Sequence, residues 1–407
     1  MPARLSKNFM LLLLTDNKCG IIYSALNFAG QKYAQQTVIK TAVFGGAFDP
    51  PHEEHIKAAA AALKELGLER VILMPTADSP HKRLDAPFAL RVEMLKAWPL
   101  PEGVQVSTLE FDTAQSAGKN YTADSLPKWK REFGELYFLI GGDSLVNLHK
   151  WNRPESIVKA APLLVVERQG ENAAQAAEMW RQKGAEIHFL QYKPRGVSST
   201  RLRTHIRLYG TKPAELSGGA YGIILKNKLY REYDGVLKRL KAALDEEKFE
   251  HSLSVAEYAA GLADKVGVDY KQAMLAALLH DCKKQQRDYR GEIDPYALDT
   301  AVEHQFAGAI AARREYGVED QDVLAAIACH CTGKPDMGKL DKLIYVADKL
   351  EKHRAYKGVE ALRALVEADF DSGFTAVLAD QQRVIRQKRL QNVYPLSQKT
   401  YEYYLGS

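Results

Sequence analysis

Near residue 232 the spacing of apolar residues along this chain changes period, and that change decides what the chain can fold into. Before it, short apolar runs alternate with longer amphipathic ones. Val38–Phe44, Val71–Met74, Leu136–Ile140, Leu163–Val166 and Ile187–Leu190 read as strands, and His52–Leu66, Phe88–Trp98 and Ser199–Tyr209 as helices. That alternation predicts βαβ units, hence a parallel sheet with helices on both faces. After it, Val236–Leu244, His251–Val266, Lys271–His280, Ala301–Tyr316, Gln321–His330 and Lys339–Arg354 all keep helical spacing, which predicts an all-α second half. A chain of 407 residues outgrows one hydrophobic core, so two domains are expected. They are placed at 38–232 (α/β) and 233–407 (all-α), after an extension over 1–37, with Leu216-Ser217-Gly218-Gly219 inside the first.

The 56 basic against 51 acidic residues leave a charge of +5, which suits small polyanionic substrates and is too weak to argue for nucleic acid. The apolar run Phe9–Leu14 follows Arg4 and Lys7 but is cut by Thr15-Asp16-Asn17-Lys18, so no membrane span is expected. The segment is read as a dispensable extension rather than a targeting signal. Cys19, Cys282, Cys329 and Cys331 form no CxxC pair, which fits a reducing cytoplasm. Homo-oligomerisation is left open.

The strand ending at Phe44 runs into Gly45-Gly46-Ala47-Phe48-Asp49-Pro50-Pro51-His52-Glu53-Glu54-His55 and then a helix. Two glycines after a strand let backbone approach a ligand without a Cβ clash. The helix start beyond offers free N–H groups and a positive dipole end to an anion. His52 and His55 share one face of the first turn and can serve one phosphate chain. The string resembles the GGxFDPxHxGH signature of nucleotidylyltransferases. Pro80-His81-Lys82, Tyr121-Thr122, Ile140-Gly141-Gly142-Asp143-Ser144-Leu145 with Trp151, and Ser198-Ser199-Thr200-Arg201-Leu202-Arg203 make it similar to the nicotinate-mononucleotide adenylyltransferase branch.

The resemblance implies adenylyl transfer from ATP to nicotinate mononucleotide, with Mg²⁺ carried mainly by the ATP phosphates. It implies that His52, His55 and Arg203 stabilise developing charge. Gly45, Gly46, Phe48, Asp49, Lys82, Gly141, Asp143, Ser199 and Thr200 would bind ATP, and Thr122 and Trp151 would meet the nicotinate. Nicotinamide mononucleotide, or another phosphate acceptor, is the alternative substrate. Glu54 stands where the family has glycine. At about 100° per residue it should point away from the two histidines, with its carboxylate outward.

In the second half, His251, His280-Asp281, His304, His330 and Asp348 fall on or at the ends of predicted helices. Imidazoles and carboxylates set in apolar helices need a partner, and a divalent ion such as iron, manganese or zinc suits them. The ordered set resembles the HD superfamily of metal-dependent phosphohydrolases. His330-Cys331-Thr332-Gly333 and Ala347-Asp348-Lys349-Leu350-Glu351 resemble its diadenosine tetraphosphate hydrolases. The resemblance implies symmetric cleavage of that dinucleoside polyphosphate to two ADP at a centre of two metal ions, often iron, held by those six residues. Gln305 replaces a small family residue, and Cys331 a threonine. Sulfur ligation by Cys329 or Cys331 is the minor reading. Lys283, Lys284, Lys342 and Arg354 could meet polyphosphate, although a solvated basic face accounts for most of them. The alternatives are a non-catalytic nucleotide-binding module and another nucleotide substrate, such as a guanosine alarmone.

Overall fold

The computed structural model describes residues 40–77, 84–112, 121–168, 172–387 and 393–406. It divides into two compact units, Met1–Leu202 with Lys212–Leu229, and Arg203–Thr211 with Tyr230–Ser407. The sequence places the junction at 232/233.

The first unit is built on six parallel strands in the order β3-β2-β1-β4-β5-β6. These are β1 Thr41–Gly46, β2 Arg70–Pro75, β3 Val104–Val106, β4 Leu136–Gly141, β5 Leu163–Val166 and β6 Ile187–Phe189. Runs such as Leu163-Leu164-Val165-Val166 are buried throughout, as expected of a sheet covered on both faces. Val43, Phe138 and Val165 pack one face with Trp129 and Trp180. Ala42, Phe44 and Leu164 pack the other with Ile56 and Ala59. Strand order reverses between β1 and β4, and a ligand crevice forms outside the carboxyl ends of strands at such a switch point.

β1 runs past the predicted end at Phe44 and takes in both glycines, with Gly45 paired to Met74 and Gly46 to Pro75, while Val38 and Ile39 of the predicted strand lie outside the described residues. The three-residue β3 was not predicted, being too short to show a period. The first helix spans Glu53–Leu66, with His52 as its cap and the left-handed Gly67 (φ 62°) ending it.

The second unit is helical among the described residues. Its main helices are Asp234–Ala243, Glu246–Val266, Tyr270–Leu279, Glu303–Arg314, Gln321–Cys329, Lys339–Leu350, Val359–Ala368, Phe370–Gln387 and Pro395–Leu405. Asp245, Asp269 and Asp320 each cap a helix by accepting first-turn amide N–H groups. One core gathers Leu278, Ile327, Leu343 and Phe374. The tail of helix Ser199–Tyr209 joins this unit through a 2.7 Å Thr204–Tyr270 hydroxyl contact and the buried Arg207, which pairs with Glu232. His280 and His330 stand directly after two apolar helices, as their C-caps. Gly333, at a left-handed φ of 63°, donates its N–H to Cys329 O and turns the chain away. No described helix is long and apolar enough to cross a membrane.

Candidate active sites

The first site lies at the switch point, where β1 delivers Gly45 and Gly46 and β4 delivers Gly141, followed by Gly142 and Asp143. A Cβ on Gly46 would come 3.1 Å from the ring of Phe48, so this glycine also makes room for the loop's own aromatic. Phe48 stands edge-on to His55, ring centroids 4.9 Å apart. His52 and His55 stack at 3.7 Å, and the backbone N–H of His52 donates to His55 Nδ1. That bond leaves the proton of a neutral His55 on Nε2, as a donor. Burial, reinforced by the nearby Arg168 guanidinium, lowers His52 to about 3. His55 is held well below its ordinary value by burial, His52 and Arg168. Both rings are therefore neutral at pH 7.

Asp49 is spent on the protein's own backbone, accepting from the amides of Asp85 (2.7 Å) and Ala86 (3.2 Å). Ser199 donates its hydroxyl to Pro50 O at 2.9 Å, tying the second signature to the first. Ser198 accepts from the amide of Arg201, as a cap does. Thr200 follows Ser199 in the first turn, and Arg203 lies one turn further along that helix. Thr122 opens the helix Thr122–Phe133. Trp151 packs near Phe138, centroids 6.4 Å apart, and Asp143 accepts from the amide of Ser144. Lys82 lies outside the described residues.

Glu54 corrects the outward expectation: it is only 3% exposed. Its carboxylate accepts from the Tyr192 hydroxyl (2.5 Å) and the Arg195 amide (3.1 Å), with Lys57 at 3.4 Å. Burial pushes this carboxyl up, but these donors outweigh it and hold it below its ordinary value. Glu54 thus ties the first helix to the loop leading into Ser198 and Ser199. Glu54→Gly should therefore loosen that loop, lowering stability by about 1–2 kcal/mol. An accompanying several-fold rise in KM for ATP, read by pyrophosphate release, checks the role, whereas an unchanged KM would refute it.

In the second unit six expected ligands converge. Asp281 Oδ1 lies 3.0 Å from His304 Nε2 and 3.3 Å from His330 Nε2, while its Oδ2 lies 3.7 Å from His280 Nε2. Asp348 Oδ1 is 3.0 Å from His251 Nε2 and 3.9 Å from His280 Nε2. Asp281 therefore stands between two groups of donors. Ring orientation is fixed from behind: His280 Nδ1 meets Ala277 O (2.7 Å), His330 Nδ1 meets Ile327 O (2.8 Å), and His251 Nδ1 faces Glu351 (3.4 Å). Such outer bonds turn the Nε2 lone pairs towards a metal. His280 Nε2 is buried with no hydrogen-bond partner, an orphan that a metal would satisfy. The residues thus fit a divalent metal centre.

Burial alone would raise Asp281 and Asp348. The His280, His304 and His330 imidazoles outweigh it for Asp281, and Lys349 with His251 for Asp348, so both stay well below the carboxylate range. Lys284 Nζ reaches His304 Nε2 at 2.9 Å, and Lys349 and Arg354 reach Asp348 at 3.1 and 3.0 Å. Lys283 instead pairs with Asp288 and Glu315, and Lys342 with Asp371.

Residues 43–205 match the cytidylyltransferase-like family and residues 249–352 the HD domain. A Mycoplasma pneumoniae protein named "Probable nicotinate-nucleotide adenylyltransferase/Ap4A hydrolase" is 30% identical over 360 residues, 83% of this chain and 97% of that protein. The chain belongs to the nicotinate-nucleotide adenylyltransferase/Ap4A hydrolase family. Each half of this family member also has separate relatives. The symmetrical bis(5'-nucleosyl)-tetraphosphatase of Bacillus subtilis is 35% identical over 173 residues, 40% of this chain and 92% of its own. A Clostridium acetobutylicum protein named as a probable nicotinate-nucleotide adenylyltransferase is 32% identical over 199 residues, 47% of this chain and 98% of its own.

Sequence reasoning missed four residues of these sites. Arg168, two residues past β5, carried no motif. Arg91 is 1% exposed and donates to the carbonyls of Ala47 (2.7 Å), Thr76 (2.8 Å) and Ala86 (3.2 Å), tying the glycine loop at Ala47 to the segments at Thr76 and Ala86. Lys349 and Glu351 lay inside a quoted motif, where a carboxylate three residues after Asp348 was the available signal.

The buried neutral histidines give the first unit an acid sensitivity. Unfolded, His52 titrates near 6.5, but folded it is lowered to about 3, so the unfolded state binds more protons between those values. Stability is full above pH 6.5 and falls as pH drops towards 3. All four tryptophans (Trp98, Trp129, Trp151 and Trp180) belong to this unit, so their fluorescence follows it selectively. The urea midpoint should fall between pH 7 and 5, and His52→Gln should flatten that slope.

Proposed function

We propose that the first unit transfers the adenylyl group of ATP to nicotinate mononucleotide, and that the second cleaves diadenosine tetraphosphate symmetrically to two ADP. The domains performing them are assigned to 38–232 and 233–407. The observation that carries the first reading is the stacked, neutral His52–His55 pair beside the glycine loop at the switch point. The acceptor phosphate attacks the α-phosphorus and pyrophosphate leaves, so no protein nucleophile is needed. Catalysis rests on positioning and charge stabilisation. His55 Nε2–H donates to the departing phosphates, and the helix start at Ser199 and Thr200 offers backbone N–H groups. Arg203 and Arg168 add positive charge, and Mg²⁺ arrives with ATP. Thr122 and Trp151 are assigned to the nicotinate, and Asp143 to the adenosine side.

For the second reaction, His304, His330 and Asp281 would hold one metal ion, and His251, His280, Asp281 and Asp348 the other. Iron is the proposed metal. When bound, such ions supply Lewis acidity, activating water and taking up charge on phosphate oxygens. Glu351 keeps His251 in register, while Lys284, Lys349 and Arg354 provide cations for a polyphosphate chain.

Two assays test these readings. Pyrophosphate release with ATP and Mg²⁺ should favour nicotinate over nicotinamide mononucleotide, and turnover with neither would reject the first reading. Diadenosine tetraphosphate should yield ADP alone, and ATP plus AMP among the products would reject symmetric cleavage.

A further inference from the structure

The two departures of the HD half from its family pattern, Gln305 and Cys331, turn out to be one device. Gln305 is fully buried, and its side-chain oxygen accepts from the amides of Cys331 (3.0 Å) and Thr332 (3.3 Å). Its amide nitrogen donates to the Thr332 hydroxyl at 3.0 Å. The backbone just after His330 is thereby fixed from within the neighbouring helix. Held this way, Cys331 places its Sγ 3.1 Å from His330 Nε2 and 3.3 Å from His304 Nε2. The two imidazoles are themselves 3.2 Å apart, and the three donors form one cluster able to hold an ion. Cys329, two residues away, behaves differently: it is buried, with its Sγ 3.8 Å from Ala326 O.

These separations can be compared with those of ligands sharing an ion. With a metal–sulfur distance of about 2.3 Å and a metal–nitrogen distance of about 2.0–2.1 Å, sulfur and nitrogen at right angles lie roughly 3.1 Å apart. At the tetrahedral angle they lie roughly 3.6 Å apart. Both observed distances fall at the compact end of that range.

The geometry points to Cys331 as a sulfur donor to the metal position of His304 and His330, aimed by Gln305. The inference rests on the metal-centre reading above and deepens it, because it makes the two positions chemically unequal. The position of His251 and His280 is purely nitrogen and oxygen, whereas the other gains a thiolate. Thiolate favours softer ions such as zinc, cobalt or ferrous iron over magnesium and manganese. The family's threonine would offer a hard oxygen in its place.

The test uses the full chain, stripped with chelator and reloaded with cobalt(II). The wild type should bind about two cobalt ions and show a near-ultraviolet sulfur-to-cobalt charge-transfer band. Cys331→Thr and Cys331→Ser should lose the band, Cys329→Ser should keep it, and Gln305→Ala should weaken it. Independently of any variant's folding, cobalt should protect Cys331 of the wild-type protein from iodoacetamide, as mapped by mass spectrometry. Cobalt bound without the band, or without protection, would overturn the sulfur ligand and leave the metal centre standing. No cobalt bound by the wild type would overturn both.

Discussion

Asp281→Asn is expected to lower hydrolysis of diadenosine tetraphosphate by roughly 10³-fold or more, and to cut the metal content of the purified chain. The reason is its position. One carboxylate oxygen faces His304 and His330 while the other faces His280, so one substitution removes a donor from both groups. The asparagine side chain has nearly the same shape, so the helix ending at His280 should survive. Elemental analysis beside an ADP assay checks this. Adenylyl transfer should be unchanged, since the first unit contains none of these residues. A variant that keeps its metal and its rate would show that Asp281 is not shared.

His55→Ala should lower kcat for adenylyl transfer by roughly 10²–10³-fold, with a smaller change in KM. The amide of His52 pins Nδ1, so the ring presents Nε2–H in one direction and at no reorganisation cost when charge develops on the leaving phosphates. Removing it deletes a fixed donor and leaves the His52 amide without its acceptor. His55→Asn separates the two effects: it should restore folding stability more than rate. A raised KM with kcat unchanged would instead indicate that His55 merely binds ATP.

What was legible in the sequence was whatever is local. The glycine string, the paired histidines and the capping aspartates each signal through neighbours within a few residues, and the six candidate HD ligands signal through their order. What stayed hidden depends on partners far along the chain. Glu54 is turned inward by Tyr192 and Arg195, about 140 residues away, and no helical-wheel angle contains that information. Arg91 looks like an ordinary surface residue until the carbonyls of three separate loop positions close on it. Gln305 and Cys331 appeared as two unrelated departures because the bond joining them spans 26 residues. The short strand Val104–Val106 lacked the length to show a period.

The placement of His280 and His330 at the ends of apolar helices couples folding to supply. These ends gather four imidazoles and two carboxylates that water would otherwise solvate. A ligand that binds only the folded state shifts its stability by mass action. Each tenfold rise in free metal above its dissociation constant would add about 1.4 kcal/mol per ion. The second unit would then act as a gauge of available metal, losing stability as the ion becomes scarce. The first unit has no such dependence built into its histidines, so scarcity would silence degradation of the dinucleotide while its neighbour on the same chain kept synthesising.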